Sequence, residues 1–595
     1  MRVHYKNGRL ETLLFGVNSL TAAAVAASFV CLFGFHEPLL PVWLLYVAQV
    51  FLLAIFISEK VVRFLNSVSK IEFLQANWFE IPLLLALVIA FFGAGRWFGF
   101  EDPSTVRHFA VGIYLILQVV AKLCRTSVNM AASGRNPTRT LIISFLVLIV
   151  AGAGMLMLPR SATNESLSFI DALFTATSAT CVTGLIVKDT GRDFSMMGQL
   201  VILGLIQLGG LGIVVFGAVF ALLIGLGQAL SVREEVAMQD LLSARTLGRI
   251  GNMIAFIFIG TLFIEALGAV SMQGMWGDVA GRVENVQRQW FYSIFHSVSA
   301  FCNAGFSLFD DSFISYSKSW QIYGVVCPLI ILGGLGFGVL YNLFNIIADR
   351  IKRFFKKRFN KQARFSMESP KRMQLQTKIA LSMSVILIVL GSLAIFIFEN
   401  HTGHKTNPDN GIFSALFQSI TARTAGFNTI DVDKMSPVSR LILMVLMFIG
   451  GSPGSTAGGI KTVTLAVVIM SAIAALRKRQ EVEMFKRSVR IVVVGRAITV
   501  TMLFAAVLFA ATLGLSLTES GNGFALSDIS FEAASALGTV GLSTGITGSL
   551  TSLGKLIIII VMLIGRLGPL TLLAALTFNL KPAQYNYPDE AVIVG

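Results

Sequence analysis

Long apolar runs separated by short polar stretches dominate this chain. Runs at about 13–34, 42–58, 77–99, 108–124, 138–158, 196–226, 250–272, 320–347, 379–398, 438–474, 491–517 and 553–579 can each cross a bilayer core as a helix, which predicts twelve crossings. Beside several of them lie amphiphilic segments of about ten residues, too short to cross, that lead into a glycine turn. Such a segment dips into the membrane and returns to the same face, so its non-helical backbone must be buried in protein or line a watery cavity. Composition agrees: 55% of the 595 residues are hydrophobic and 13% charged, far outside the range of soluble globular proteins.

The short segments repeat one another. They read FTATSATCVTGLIVKD (174–189), FHSVSAFCNAGFSLFD (295–310), FQSITARTAGFNTID (417–431) and FEAASALGTVGLST (531–544), and converge on Gly184, Gly305, Gly426 and Gly541, which lie 121, 121 and 115 residues apart. Each repeat is an apolar span, the short segment, the glycine turn and a second apolar span. It crosses the membrane an even number of times, so successive repeats share one orientation, unlike the halves of inverted-repeat carriers. Four parallel units in one chain close best as a pseudo-fourfold ring about the membrane normal. The expected fold is an all-α polytopic membrane protein with four parallel helix, re-entrant loop, helix repeats in a ring, plus four extra N-terminal transmembrane helices. Its expected divisions are an N-terminal region at 1–130, repeat 1 at 138–228, repeat 2 at 249–348, a basic loop at 349–378, repeat 3 at 379–476, repeat 4 at 491–580 and a tail at 581–595.

Charge sets the orientation. The net charge is +15, and eleven Lys or Arg residues fall in the 349–378 loop, with a second basic cluster, LRKRQEVEMFKRSVR, ending at Arg490. Both lie between spans, so the positive-inside rule places them in the cytoplasm, and no aromatic-interleaved soluble module suggests nucleic acid instead. Counting crossings from the basic N-terminus MRVHYKNGR puts that end in the cytoplasm and all four glycine turns on the outer side of an inner (cytoplasmic) membrane, with Lys122, Arg125, Arg135 and Arg139 back inside. The five cysteines, Cys31, Cys124, Cys181, Cys302 and Cys327, are scattered without metal-ligand spacing.

Four backbone loops around one axis can replace the water of an alkali cation with carbonyl oxygens. Glycine at the tightest point allows a positive φ that a Cβ disfavours, and the C-terminal ends of the short helices aim partial negative charge at the axis. Asp189, Asp310 and Asp431 each follow their glycine by five residues, while the fourth repeat has Ile546 there. They either gather cations at an outer mouth or cap the next helix, and the two roles are compatible.

These motifs resemble the Trk/Ktr/HKT superfamily of potassium transporters, specifically the bacterial Trk/Ktr-type membrane subunits, over roughly residues 138–580. The resemblance implies a K⁺ selectivity filter built from Val182, Thr183, Gly184, Asn303, Ala304, Gly305, Thr424, Ala425, Gly426, Thr539, Val540 and Gly541. In plant relatives a serine at the first glycine position goes with Na⁺ transport, and Gly184 here favours K⁺. The resemblance further implies K⁺ as the transported ion with no organic cofactor, a homodimer, and a cytoplasmic ring of nucleotide-binding regulatory subunits, with the 349–378 loop as a contact or lipid-headgroup surface.

Each second span carries glycines about 25 residues after its filter glycine, at Gly209, Gly333, Gly450 and Gly565. In repeats 1 and 2 these fit a helix-packing face. In repeat 3, GGSPGSTAGGIK (450–461) contains Gly450, Gly451, Gly454, Ser455, Thr456, Gly458, Gly459 and Lys461, too rich in glycine to stay helical. It is not a P-loop, because Ile460 separates Gly459 from Lys461 and no strand precedes it. The resemblance makes it a gate beneath the filter and makes Arg566 a cationic barrier there; the alternative for Arg566 is a buried arginine satisfied by loop carbonyls. Arg423 and Glu532, charges in adjacent short segments, are expected to support the filter as a pair. His296 is expected to be a packed core residue. In the N-terminal region ISEKVVRF and NWFEIP have the acids of a voltage sensor, but Lys122 and Arg125 are too few for its ladder. A Na⁺-coupled or Na⁺-permeable carrier is the second functional reading; an enzyme lacks the clustered His, Asp or Cys it would need.

Overall fold

The computed structural model describes residues 6–76, 84–85, 87–89, 107–108, 110–115, 118, 137–163, 167–212, 250–277, 285–359, 371–401, 411–479 and 481–569. The predicted span at 77–99 falls almost wholly outside these residues, as do Lys122, Arg125, Arg135, the lower parts of the spans at 196–226 and 553–579, the centre of the basic loop and the 581–595 tail.

Helices α1 (Gly8–Phe33), α2 (Val42–Asn66) and α3 (Lys70–Ala76) belong to the N-terminal region. Repeat 1 contributes α4 (Pro137–Leu156), α5 (Phe169–Cys181) and α6 (Met196–Leu211); repeat 2 contributes α7 (Ile250–Met272), α8 (Val286–Cys302), α9 (Cys327–Leu335) and α10 (Phe337–Phe359). Repeat 3 holds α11 (Leu375–His401), α12 (Gly411–Thr421), α13 (Pro437–Phe448) and α14 (Thr462–Leu476), and repeat 4 holds α15 (Ile491–Thr518), α16 (Leu526–Gly538) and α17 (Ser552–Leu567). A two-stranded antiparallel hairpin, β1 (Val482–Met484) and β2 (Arg487–Val489), joins the last two repeats and packs Val482 and Met484 against α11, α14 and α15. Side-chain caps at Ser168, Ser195, Asn285, Ser436 and Thr551 start α5, α6, α8, α13 and α17, satisfying amides that would otherwise lack partners.

Among the described residues, five helices are long and apolar enough to cross a membrane, and a sixth crossing arises if α9 and α10 count as one span bent by 103°. Among the described residues the helices of the second spans are shorter. Helices α6, α9 and α17 end at Gly212, Gly336 and Gly568, three residues past the glycines singled out above, with φ of 81°, 89° and 84°. The singled-out glycines do a different job: a Cβ on Gly209, Gly333 or Gly565 would lie 1.9, 1.9 or 2.1 Å from the carbonyl oxygen of Thr180, Phe301 or Leu537. They let each second span press against the last turn of the short helix in its own repeat.

Each second span also packs on the short helix of the following repeat: α6 on α8, α9 on α12, α13 on α16, and α17 back on α5. The four repeats therefore close in cyclic order. Two seams are fastened by equivalent ion pairs, Arg440 with Asp528 at 3.1 Å between repeats 3 and 4, and Lys555 with Asp171 at 2.7 Å between repeats 4 and 1. At the matching positions, counted from the helix caps and from the aromatic residue that opens each glycine motif, the other seams have Gln199 with Tyr292 and Tyr323 with Ser414.

In the N-terminal region, Arg63 pairs with Glu59 on its own helix and with Glu11 of α1 at 3.3 Å. The acid of ISEKVVRF is thus committed to a local ion pair. The backbone N–H of Arg160 donates to Gly34 at 3.1 Å, tying this region to repeat 1.

Candidate functional site

The four glycine turns meet. Every short helix points its C-terminal end at its turn, and the residue two before each glycine has left-handed backbone: Val182 at φ 56°, Asn303 at 58°, Thr424 at 79° and Thr539 at 51°. The glycines follow at 90°, 69°, 81° and 95°, with Thr183, Ala304, Ala425 and Val540 at negative φ between them. A positive φ is unusual for β-branched Val182, Thr424 and Thr539, so the surrounding structure must hold it.

The hold is a repeated hydrogen-bond pattern. Amides of Thr183, Ala304, Ala425 and Val540 donate to the carbonyls of Ser178, Ser299, Thr421 and Ser535 at 2.8, 2.7, 2.8 and 2.8 Å. The hydroxyls of the same four residues complete each turn. Ser178 and Ser535 accept from the amides of Gly184 and Gly541 at 3.1 Å, while Ser299 and Thr421 donate to Phe306 and Phe427 carbonyls at 2.8 Å. The sequence carries a signal for this set, a Ser/Thr–Ala pair before the glycine of every turn, with repeat 3 one residue shorter there.

Around the ring, a Cβ on Gly184 would sit 2.5 Å from the Ala304 carbonyl oxygen, on Gly305 2.7 Å from that of Ala425, on Gly426 2.3 Å from that of Val540, and on Gly541 2.3 Å from that of Thr183. Each glycine thus faces the next repeat's carbonyl, and the cycle closes. Both backbone sign and space exclude a side chain at these four positions.

Outside the ring, the three aspartates organise their own turns. Asp189 accepts from the amides of Gly191 and Arg192 at 2.9 and 2.8 Å, Asp310 from Asp311 at 3.0 Å, and Asp431 from Asp433 at 3.2 Å while pairing with Lys434 at 3.0 Å. Burial pushes the Asp189 carboxyl above the usual carboxylate range against the pull of those two amides, and the nearby Asp193 and Asp310 push the same way.

Arg423 and Glu532 do not pair with each other. Arg423 donates to the carbonyl and hydroxyl of Ser384, both at 3.2 Å, on the first span of its own repeat. Glu532 accepts from the Thr544 amide at 3.1 Å, the Thr547 hydroxyl at 2.9 Å and the Ser543 hydroxyl. Each charge finds donors or acceptors within its own repeat, so the expected ion pair has no reason to form. His296 is fully buried, and it shares Glu532's position nine residues before the glycine of its turn. Its Nδ1 donates to the Tyr292 carbonyl at 2.8 Å, and its Nε2 accepts the Leu308 amide at 3.2 Å. In both repeats an acceptor at this position catches the amide three residues past the glycine.

Beneath the ring, residues 449–461 form a non-helical loop between α13 and α14. Parallel bridging joins Ile449 to Ile460, with the Gly450 amide donating to Ile460 at 2.9 Å. The loop is stitched to repeat 2: the amides of Ser452 and Thr456 donate to Gly334 and Gly333 at 2.9 and 3.4 Å, and that of Phe337 donates to Gly454 at 2.9 Å. A Cβ on Gly458 would fall 2.1 Å from Thr539 Oγ1, so the loop touches the fourth glycine turn. Lys461 Nζ folds back on the carbonyls of Ala457 and Gly458 at 2.6 and 3.4 Å. Gly451 and Gly459 lie on the closed neck of the loop, and a Cβ on Gly451 would fall 2.9 Å from Ser455 Oγ. Arg566 donates to the carbonyls of Thr456, Gly209 and Gly210, the last at 3.4 Å. The carbonyl-satisfied alternative for Arg566 therefore describes its geometry, and its side chain joins repeats 4, 3 and 1.

Residues 105–586 match TrkH, the cation transport protein family. The chain belongs to the TrkH family. It is a multi-pass membrane transporter, not an enzyme. The Ktr system potassium uptake protein B of Bacillus subtilis is 38% identical over 466 residues, 77% of this chain and 97% of that one. The potassium/sodium uptake protein NtpJ of Enterococcus hirae is 35% identical over a similar extent, 77% and 97%. The crystal structure of the potassium transporter TrkH from Vibrio parahaemolyticus aligns with a TM-score of 0.57 at 20% identity, covering 84% of this chain and 98% of that chain, and this likeness shows the TrkH-family fold.

Proposed function

We propose that this chain carries K⁺ into the cell across the cytoplasmic membrane, with its N-terminus inside, through a selectivity filter made by residues 182–184, 303–305, 424–426 and 539–541. The observation that carries this reading is the closed cycle in which each filter glycine faces the carbonyl of Thr183, Ala304, Ala425 or Val540 of the next repeat. Carbonyls on one side of four turns supply the oxygen shell that a dehydrated alkali cation needs, and the helix C-termini around them favour a positive charge.

Asp189, Asp310 and Asp431 gather cations at the outer mouth, with Lys434 reducing the share of Asp431. The 450–461 loop is the gate, and Arg566 is its latch: it holds Thr456 against the carbonyl end of α6. Opening requires these charge-assisted bonds to break together with the loop's bonds to repeat 2. The chain works as a homodimer under a ring of cytoplasmic nucleotide-binding subunits. The ring acts on the loop through the cytoplasmic ends of α10 and α14.

A second reading, Na⁺ permeation beside K⁺, is favoured by the potassium/sodium uptake protein among the relatives. Expression in a bacterium stripped of its own K⁺ uptake systems separates the two. Growth restored at limiting K⁺ and insensitive to added Na⁺ is the expected result; membrane-inserted protein that fails to restore growth contradicts the proposal.

A further inference from the structure

Glu265 lies in the second half of α7, the first span of repeat 2, and is 5% exposed. No basic side chain approaches it within ion-pair distance among the described residues; its polar neighbours are an amide and a thiol. Gln207 Nε2, on α6 of repeat 1, donates to Glu265 Oε2 at 3.1 Å. The Cys302 thiol, the last residue of α8, reaches Glu265 Oε1 at 3.8 Å and Gln207 Oε1 at 3.7 Å. The Ser297 hydroxyl, one turn earlier on α8, donates to the Glu265 carbonyl at 2.7 Å. Three elements from two repeats therefore meet at one carboxyl group.

Its place in the ring gives this cluster a role. Cys302 directly precedes Asn303, the left-handed residue that opens the second filter turn. The seam between repeats 1 and 2 lacks the outer ion pair that fastens repeats 3 to 4 and 4 to 1. The Glu265 cluster is a polar fastening of that seam, at the depth of the filter. It also adjoins the latch: a Cβ on Gly210 would lie 2.7 Å from Cys302 Sγ, and the Gly210 carbonyl accepts from Arg566 at 3.4 Å. Repeat 3 uses the same device with different chemistry, since Arg423, three residues before Gly426 as Cys302 is before Gly305, bonds to Ser384 on the first span of its repeat.

A carboxyl group buried at membrane depth is costly and marks function by default. A leucine of nearly the same volume would pack there without that cost. We propose that Glu265 is a positioning residue for ion discrimination: through Cys302 and Gln207 it fixes where the second filter turn stands against the other three. The inference rests on the filter reading above and extends it to a residue outside the filter. A ring of carbonyls discriminates between K⁺ and Na⁺ by its size and stiffness, so releasing one turn admits the smaller ion more readily. A merely structural role would lower the amount of protein or its total flux and leave discrimination unchanged.

The test is rubidium-86 uptake into proteoliposomes containing the full chain, competed by K⁺ and by Na⁺, with the ratio of the two inhibitory concentrations as the readout. The wild-type ratio by itself tests the filter reading. Given a K⁺-selective wild type, Glu265→Leu is expected to reduce the ratio about fivefold, the size of one lost hydrogen bond. Cys302→Ala should move it the same way, and Glu265→Gln, which keeps an acceptor for the thiol, should restore most of it. Wild-type discrimination in both Glu265→Leu and Cys302→Ala overturns the proposal, whatever their total flux. If Glu265→Leu fails to insert, Gln207→Leu takes its place beside Cys302→Ala, with the same two outcomes.

Discussion

The guanidinium of Arg566 donates to the carbonyl oxygen of Thr456, joining the end of α17 in repeat 4 to the glycine-rich loop of repeat 3. Because the same side chain also reaches Gly209 and Gly210 of repeat 1, one residue ties three repeats together beneath the ring. Arg566→Ala is expected to raise K⁺ flux by about tenfold, the effect of losing ~1.5 kcal/mol of charge-assisted hydrogen bonding that holds the loop shut. Initial rates of rubidium-86 uptake at equal protein density measure it; a rate equal to wild type would remove the latch.

The pair Lys555 and Asp171 closes the cycle of repeats, each side chain being 15% exposed. Lys555→Met should lower stability in detergent by about 1.5–3 kcal/mol, because the carboxylate loses a charge-assisted bond in a largely dry seam. The double variant Lys555→Met with Asp171→Leu should recover part of that loss. Thermal unfolding of the four proteins, analysed as a double-mutant cycle, checks the coupling. Independent effects of the two changes would mean that the seam is held by apolar packing alone.

Much of this architecture was legible in the sequence. Apolar runs of membrane length, four copies of one glycine motif and the helix-breaking composition of 450–461 follow from rules local to the chain. The side-chain partners did not follow. Arg423 and Glu532 read as a pair because both are charges close to a turn glycine in sequence, yet Ser384 and the 543–547 turn satisfy them separately. Nothing local to the sequence identifies which carbonyls fall within reach of Arg566, or that Glu265 faces Gln207 across a repeat boundary. Such contacts depend on how four repeats close, and the linear pattern records the repeats without their seams.

Glu532 and His296 supply the same acceptor to equivalent amides in repeats 4 and 2. Glu532→Gln, which retains a carbonyl acceptor, is expected to keep more than half of the wild-type uptake. Glu532→Ala, leaving the buried amide of Thr544 and two hydroxyls unpaired, should reduce uptake about tenfold or more. Equal losses in the two variants would show that the charge, and not the acceptor, matters.

Asp189 takes up its proton at a higher pH than an exposed aspartate, since burial and its acidic neighbours both raise it. As external pH falls into the window just above the ordinary carboxylate value of about 4, the mouth loses this negative charge and weakens the cap on Gly191 and Arg192. The apparent affinity for K⁺ should therefore fall on acidification, starting before exposed carboxylates titrate. Asp189→Asn should have the low affinity at every pH. A variant that retains the wild-type pH profile would exclude Asp189 as its origin.

The most direct test of the central claim is competition of rubidium-86 uptake by K⁺ and Na⁺ in proteoliposomes bearing the wild-type chain or Gly184→Ser. Gly184 has a φ of 90°, and a Cβ there would lie 2.5 Å from the Ala304 carbonyl oxygen. The serine must therefore displace a carbonyl of the ring. The expected result is strong K⁺ and weak Na⁺ competition in the wild type, with Na⁺ competing much more effectively in the variant. Na⁺ competing as well as K⁺ in the wild type, or a variant with unaltered selectivity, would contradict the four-glycine ring as the site where the ion is chosen.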